Sequence, residues 1–104
     1  MTEKEYYAYF IEKSGIDSQV LMTIEEMSEL SMALTKYLRF GEDKLEQKYK
    51  DNILEELADV KNMISQLCFY FGDDKINKIQ QEKLIRTTKR IKDKENENSN
   101  SKNS

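Results

Sequence analysis

The sequence predicts an all-α protein. Proline is absent and glycine occurs only at positions 15, 41 and 72, so the chain has few breaks. Apolar residues between those glycines recur at helical spacing, and no segment has the alternating β-branched pattern of a strand. Short connections at the glycines then join four helix-sized pieces, which is the pattern of a four-helix bundle.

The first piece, "TEKEYYAYFIEKSG", opens with Thr2 followed three residues later by Glu5, a capping-box spacing, and Gly15 stands where a helix C-cap residue would. The second, "DSQVLMTIEEMSELSMALTKYLRFG", is expected to be capped at Asp17 or Ser18 and to carry Lys36 and Arg39 against the negative end of its dipole. The polar segment "EDKLEQKYK", 42–50, has no clear apolar stripe and reads as a connection with room for a helical turn of its own. A third helix follows in "DNILEELADVKNMISQLCFYFG", with cap candidates Asp51 and Asn52 and Gly72 as its stop. "DDKINKIQQEKLIRTTKRIKD" predicts a weaker amphipathic fourth helix through Ile76, Ile79, Leu84 and Ile91. The tail "ENENSNSKNS" has no apolar residue, so 95–104 is expected to be disordered after a single domain over 1–94.

Composition narrows the function classes. A chain of 104 residues with 38% hydrophobic content has little core of its own, and oligomerisation is an expected source of stability. A net charge of -3 with acids interleaved among the bases lacks the electrostatic footprint of a nucleic-acid binder. No run is long and apolar enough to span a membrane, and "MTEKEYYAYF" has no signal-peptide pattern, so a cytoplasmic protein is expected. The lone Cys68 agrees with a reducing compartment. Without histidine there is no Ser-His-Asp or Cys-His machinery, and with one cysteine there is no ordinary zinc site. Any catalysis must use carboxylates, amines, hydroxyls or a metal held through oxygen.

Carboxylates stand where such chemistry would need them. At about 100° per residue, Ile53, Leu57, Val60, Met63, Ile64, Leu67 and Phe71 share one arc of the third helix, and Glu56 falls inside it. Asp59 lies at the arc's edge, while Glu55 points away. On the second helix Val20, Ile24, Met27, Leu34 and Leu38 define the main apolar stripe. Glu26 is on its flank, Glu29 one step further round, and Glu25 on the most polar side. Single acid pairs at i, i+3 commonly just solvate a helix face or pair with lysines. Two inward or border pairs, in "EEMSE" and "EELAD", raise a stricter question, because carboxylates beside apolar residues lose hydration and repel one another. Protonation, basic partners or a metal could neutralise them. An all-oxygen donor set matches Mg²⁺, with Mn²⁺ as an alternative.

These two strings resemble the signature of the MazG-like all-α nucleoside triphosphate pyrophosphohydrolases, EExxE followed after a variable connection by ExxD. The resemblance runs from Gly15 to about Arg90 and includes the hydrophobic run after "EELAD". It implies a bundle completed by oligomerisation, as a homodimer or homotetramer, and Mg²⁺-dependent cleavage of a (d)NTP to the (d)NMP and pyrophosphate in a house-cleaning role. By the match, Glu26, Glu29, Glu56 and Asp59 would hold the metal. Glu25 would be a supporting group or orient the attacking water, so that Glu25 and Glu26 are the catalytic candidates. Lys83 and Arg86, in "EKLIRTTKR", match the family's basic stretch and would bind phosphate. Met27 and Ser28 replace the smaller residues often found between the acids, and the tail has no counterpart in the family.

Tyr6, Tyr7, Tyr9 and Phe10 could stack on a base, although aromatic residues in a small bundle are also core or interface. The alternatives are a dUTP- or dCTP-type pyrophosphatase, whose dimeric members share the helical core, and a non-catalytic helical module for oligomerisation or nucleotide sensing.

Overall fold

The computed structural model describes residues 1–40 and 46–103. They form four helices: α1 (Glu3–Ser14), α2 (Ile16–Phe40), α3 (Glu46–Phe71) and α4 (Asp73–Asn103). There is no strand among the described residues. Gly41 and residues 42–45 of the expected connection lie outside the described residues. No helix among those described is long and apolar enough to cross a membrane.

Local chemistry accounts for most helix ends. Thr2 Oγ1 accepts from the Glu5 backbone N–H at 3.2 Å, satisfying one of the free donors of the first turn. The Gly15 N–H donates to Ile11 O at 2.8 Å and closes α1. Gly15 has φ 85° and ψ 149°, a backbone region essentially restricted to glycine, and this lets α2 begin at the next residue. The expected caps Asp17 and Ser18 are therefore already helical. Gly72, at φ 133°, separates α3 from α4 in the same way.

α3 begins at Glu46, five residues before the expected caps, so part of the presumed connection is helix. Two i, i+4 contacts support that polar turn: Lys50 Nζ lies 2.9 Å from Glu46 Oε1, and Gln47 Nε2 donates to Asp51 Oδ1 at 2.9 Å.

The chain divides into two compact units, Met1–Phe71 and Gly72–Ser104. α4 is helical through Asn103, where the composition predicted disorder from 95. With no glycine or proline after Gly72, nothing in the backbone stops the helix, and each added residue gains a hydrogen bond at a small propensity cost. From Asp74 to Asn100 every side chain except Ile76 is exposed.

In the first unit α2 and α3 form an antiparallel pair, as their short connection requires. Gln19 shares a cavity wall with Gln66, Glu26 shares it with Asp59, and Tyr37 lies near Lys50, so the partners' numbers run in opposite directions. The facing side of α2 consists of Gln19, Thr23, Glu26, Leu30, Ala33 and Tyr37, all buried or half-buried. Tyr49, Ile53, Glu56, Val60, Met63 and Leu67 face them from α3. Both sets alternate steps of four and three residues, the spacing of a shallow left-handed crossing.

This facing stripe is not the apolar stripe expected for α2. Ile24, Met27, Leu34 and Leu38 lie about a quarter turn away and are exposed, Leu38 at 84%. Leu57, Ile64 and Phe71 of α3 are exposed on the corresponding flank. For an antiparallel pair, flanks displaced in the same rotational sense face the same side, so the two strips form one apolar face of the hairpin. α1 packs against both helices, with the Tyr7 and Phe69 rings 6.1 Å apart between centroids, yet it buries none of its own residues.

Candidate active site

The α2–α3 register places Glu26 and Glu56 at positions that a helix pair normally fills with leucine or valine. Each is half-buried, and the Oε2 atom of each is out of contact with solvent and has no hydrogen-bond partner. Glu29, three residues after Glu26, is exposed but leans over the same spot. Glu26, Glu29 and Glu56 each offer a carboxylate oxygen within 4.8 Å of the others.

Electrostatics follow from that crowding. Loss of hydration, followed by the charges of Glu29, Asp59 and Glu56, pushes the Glu26 carboxyl above its ordinary value of 4.5. Glu56 is likewise pushed up, first by desolvation and then by Glu29 and Asp59. Glu29 is in hydrogen-bonding reach of both carboxyls.

The other sequence candidates are placed as follows. Asp59 influences both half-buried acids but is not in the three-oxygen group. It is exposed and borders the cavity beside α1. Glu25 is exposed on the polar side of α2, apart from the three-oxygen group. Lys83 and Arg86 belong to α4 in the second unit, where both are exposed and share a shallow concavity with Thr87 and Arg90.

Chemically, the three acids could take up protons or hold a hard cation. In an octahedral Mg²⁺ shell with bonds of about 2.1 Å, opposite oxygens are about 4.2 Å apart. Three oxygens within 4.8 Å need only small side-chain adjustments to reach that geometry. Two oxygens without partners and an all-carboxylate donor set fit such an ion, and they suit thiophilic or nitrogen-seeking metals poorly.

Beside the acids, α1, α2 and α3 line an open cavity of about 540 Å³. Tyr6, Tyr7 and Phe10 contribute to one wall, so part of the aromatic group singled out in the sequence does border the acid site. Three cavity amides, Gln19, Asn62 and Gln66, were missed. For two of them a signal was present: Asn62 and Gln66 follow Asp59 at steps of three and four, so they share its helical stripe. Comparison of the chain with family models, with curated proteins and with solved structures finds no match.

Proposed function

We propose that this chain is a Mg²⁺-dependent nucleoside triphosphate pyrophosphohydrolase of the MazG-like all-α type, converting a (d)NTP to the (d)NMP and pyrophosphate. The observation that carries this reading is the pair of half-buried acids, Glu26 and Glu56, at packing positions of α2 and α3, each with an unpartnered oxygen. Such groups cost stability unless something binds them. A polyanionic substrate beside them requires cations in between, which links the acid cluster to phosphate chemistry.

Glu26, Glu29 and Glu56 would hold the ion, with Asp59 completing the donor set from the next turn of α3. Bound there, Mg²⁺, or Mn²⁺ in its place, supplies Lewis-acid stabilisation of charge on the phosphate oxygens. Glu25, on the polar side of α2, would be a supporting group or orient the attacking water, which loses its proton as the new bond to the α-phosphorus forms. The bond from that phosphorus to the α–β bridging oxygen breaks, and pyrophosphate leaves with the electron pair. Lys83 and Arg86 take the phosphate-binding role. Their face of α4 also carries Arg90, so three positive charges stand together.

The apolar face formed by Ile24, Met27, Leu34 and Leu38 with Leu57, Ile64 and Phe71 supports a homodimer or homotetramer, since a small chain gains core by covering it. A cytoplasmic nucleotide-pool role belongs to the same proposal. The test is pyrophosphate release from a panel of ribo- and deoxynucleoside triphosphates by the purified chain with Mg²⁺. Release that is abolished by chelation and by Glu56→Gln is expected. No release from any member refutes the reading and favours a non-catalytic module.

A further inference from the structure

We propose that α4 is a binding helix for double-stranded DNA, lying in the major groove with one row of cations toward each phosphate backbone. DNA binding of this kind goes beyond the hydrolase reading and does not depend on it.

The overall charge of -3 conceals an uneven division. The unit Met1–Phe71 holds 14 acids and 8 bases, whereas Gly72–Ser104 holds 6 acids and 9 bases. Within α4, positions 75–94 carry eight bases and only two acids. Such an asymmetry between parts of one chain is an electrostatic footprint that the total hides. The surface of α4 is also open, since from Asp74 to Asn100 every side chain except Ile76 is exposed.

Because α4 is one unbroken helix, the angular position of each residue is fixed along the whole tract. At about 100° per residue, Asn77, Gln80, Thr87, Thr88 and Ile91 all fall within about 60° of Leu84. This uncharged face runs for about 21 Å and ends at Glu95. Lys83, Arg86, Arg90 and Lys94 follow one of its borders, and Lys78, Lys89 and Lys92 follow the other. Concavities along the helix have the same order: Lys83, Arg86 and Arg90 share one with Thr87, while Lys89 and Lys92 share another with Leu84 and Thr88. The two acids of the tract, Glu82 and Asp93, lie about 160° and 180° from Leu84, on the back of the helix.

Two cationic rows divided by a hydrogen-bonding face fit the major groove of B-DNA. That groove is about 12 Å wide, admits an α-helix and has a phosphate backbone along each wall. Amides and hydroxyls on the central face suit base edges, and Leu84 and Ile91 suit thymine methyl groups. A lipid surface requires a strongly apolar face, which Asn77, Gln80 and the two threonines interrupt here. A second α4 laid on this face would bring cations against cations. The major groove of duplex RNA is too deep and narrow to admit the side chains. Lys83 and Arg86 stand in one row, so DNA and nucleotide phosphates compete for them.

The test is fluorescence anisotropy of a labelled DNA duplex titrated with the full chain across a NaCl series, without Mg²⁺ or nucleotide. Binding is expected, with seven phosphate contacts giving log Kd against log salt a slope of about 6. Arg90→Gln with Lys94→Gln, and Lys89→Gln with Lys92→Gln, should each lower that slope by about 2, whereas Lys75→Gln, on the back of the helix, should leave it unchanged. Duplex RNA of the same sequence should bind about ten-fold or more weakly. With the unaltered protein, guanine N7 atoms should be protected from dimethyl sulfate, a major-groove readout independent of how any variant folds. Absence of binding at about 50 mM NaCl, equal binding of duplex RNA, unprotected N7 atoms, or slopes unchanged by both double substitutions overturns the proposal. Binding to phosphatidylserine vesicles in place of DNA overturns it in favour of a lipid surface. Salt-sensitive self-association without DNA binding overturns it in favour of the acidic unit of a second copy. Pyrophosphate release measured separately keeps the two readings apart: DNA binding without release refutes only the hydrolase, and release without DNA binding refutes only the DNA helix.

Discussion

Raising the pH of the metal-free protein from about 4 should contribute a fall in melting temperature, opposite in sign to the usual effect of paired carboxylates. Glu26 and Glu56 have their folded-state pKa values raised above the ordinary 4.5 by desolvation and by neighbouring acids. Between the ordinary and the raised values the folded chain holds protons that the unfolded chain has released. The native state therefore binds more protons, and stability declines through that window as pH increases. Below the window both states are protonated, and above it both are ionised. Mg²⁺ acts in the other direction, since it binds the deprotonated oxygens. If binding displaces the protons of both raised carboxyls, apparent affinity falls by about 100-fold per pH unit on the acid side of their titration. Above the titration, Mg²⁺ at a hundred times its Kd stabilises the fold by about 2.7 kcal/mol. At about 4–8 °C per kcal/mol for a domain near this size, melting should rise by roughly 10–20 °C. Differential scanning calorimetry across a pH series, with and without Mg²⁺, measures both effects. Glu56→Gln isolates the cluster from the other acids: it should flatten the metal-free pH slope and abolish most of the Mg²⁺ shift. A metal-free slope identical in Glu56→Gln, or no Mg²⁺ shift near pH 8, refutes the reasoning.

Three further outcomes follow from the packing. Met63, 8% exposed on the facing stripe of α3, should cost about 2–5 kcal/mol when replaced by alanine, read as a lower denaturant midpoint. Gly15→Ala should cost about 1–3 kcal/mol, because the α1–α2 junction holds a φ of 85° with a ψ of 149°. A Cβ there would meet no atom within 4 Å, so the cost comes from backbone strain rather than collision, and circular dichroism melting should detect it. Leu34→Lys combined with Leu38→Lys, on the exposed apolar face of α2, should leave helicity intact while reducing the mass measured by light scattering to that of one chain. Unchanged mass would remove this face from the proposed interface.

The helix boundaries were legible wherever a single residue type controls them. Thr2 with Glu5, Gly15 and Gly72 act through their own backbone chemistry, which sequence displays directly. The start of α3 was placed too late, with the helical turn before it expected as part of the connection, because Glu46, Gln47, Lys50 and Asp51 support each other at i, i+4 without any apolar signal. The inward face of α2 was displaced for a different reason. Periodicity finds the most apolar stripe, and on α2 Ile24, Met27, Leu34 and Leu38 of that stripe are exposed, while Gln19, Thr23 and Ala33 face α3. Small and polar residues allow close helix approach, so they can occupy a contact that hydropathy alone assigns elsewhere. On α3 the facing residues and the apolar arc overlap, and Glu56 was accordingly placed inward.

By itself the sequence determined that the chain is helical, where its glycine junctions fall, and that its acids come in two closely spaced groups. Each of these depends on covalent spacing along one segment. The tertiary structure decided which acids meet: Glu26, Glu29 and Glu56 converge within 4.8 Å, whereas Asp59 stays at the rim and Glu25 stays outside the group. It also decided that Gln66 is buried against an aromatic cavity with an unpaired oxygen. Those facts depend on the register and rotation of α2 against α3, set by side chains packing across the pair, and the period of a single helix contains no information about either.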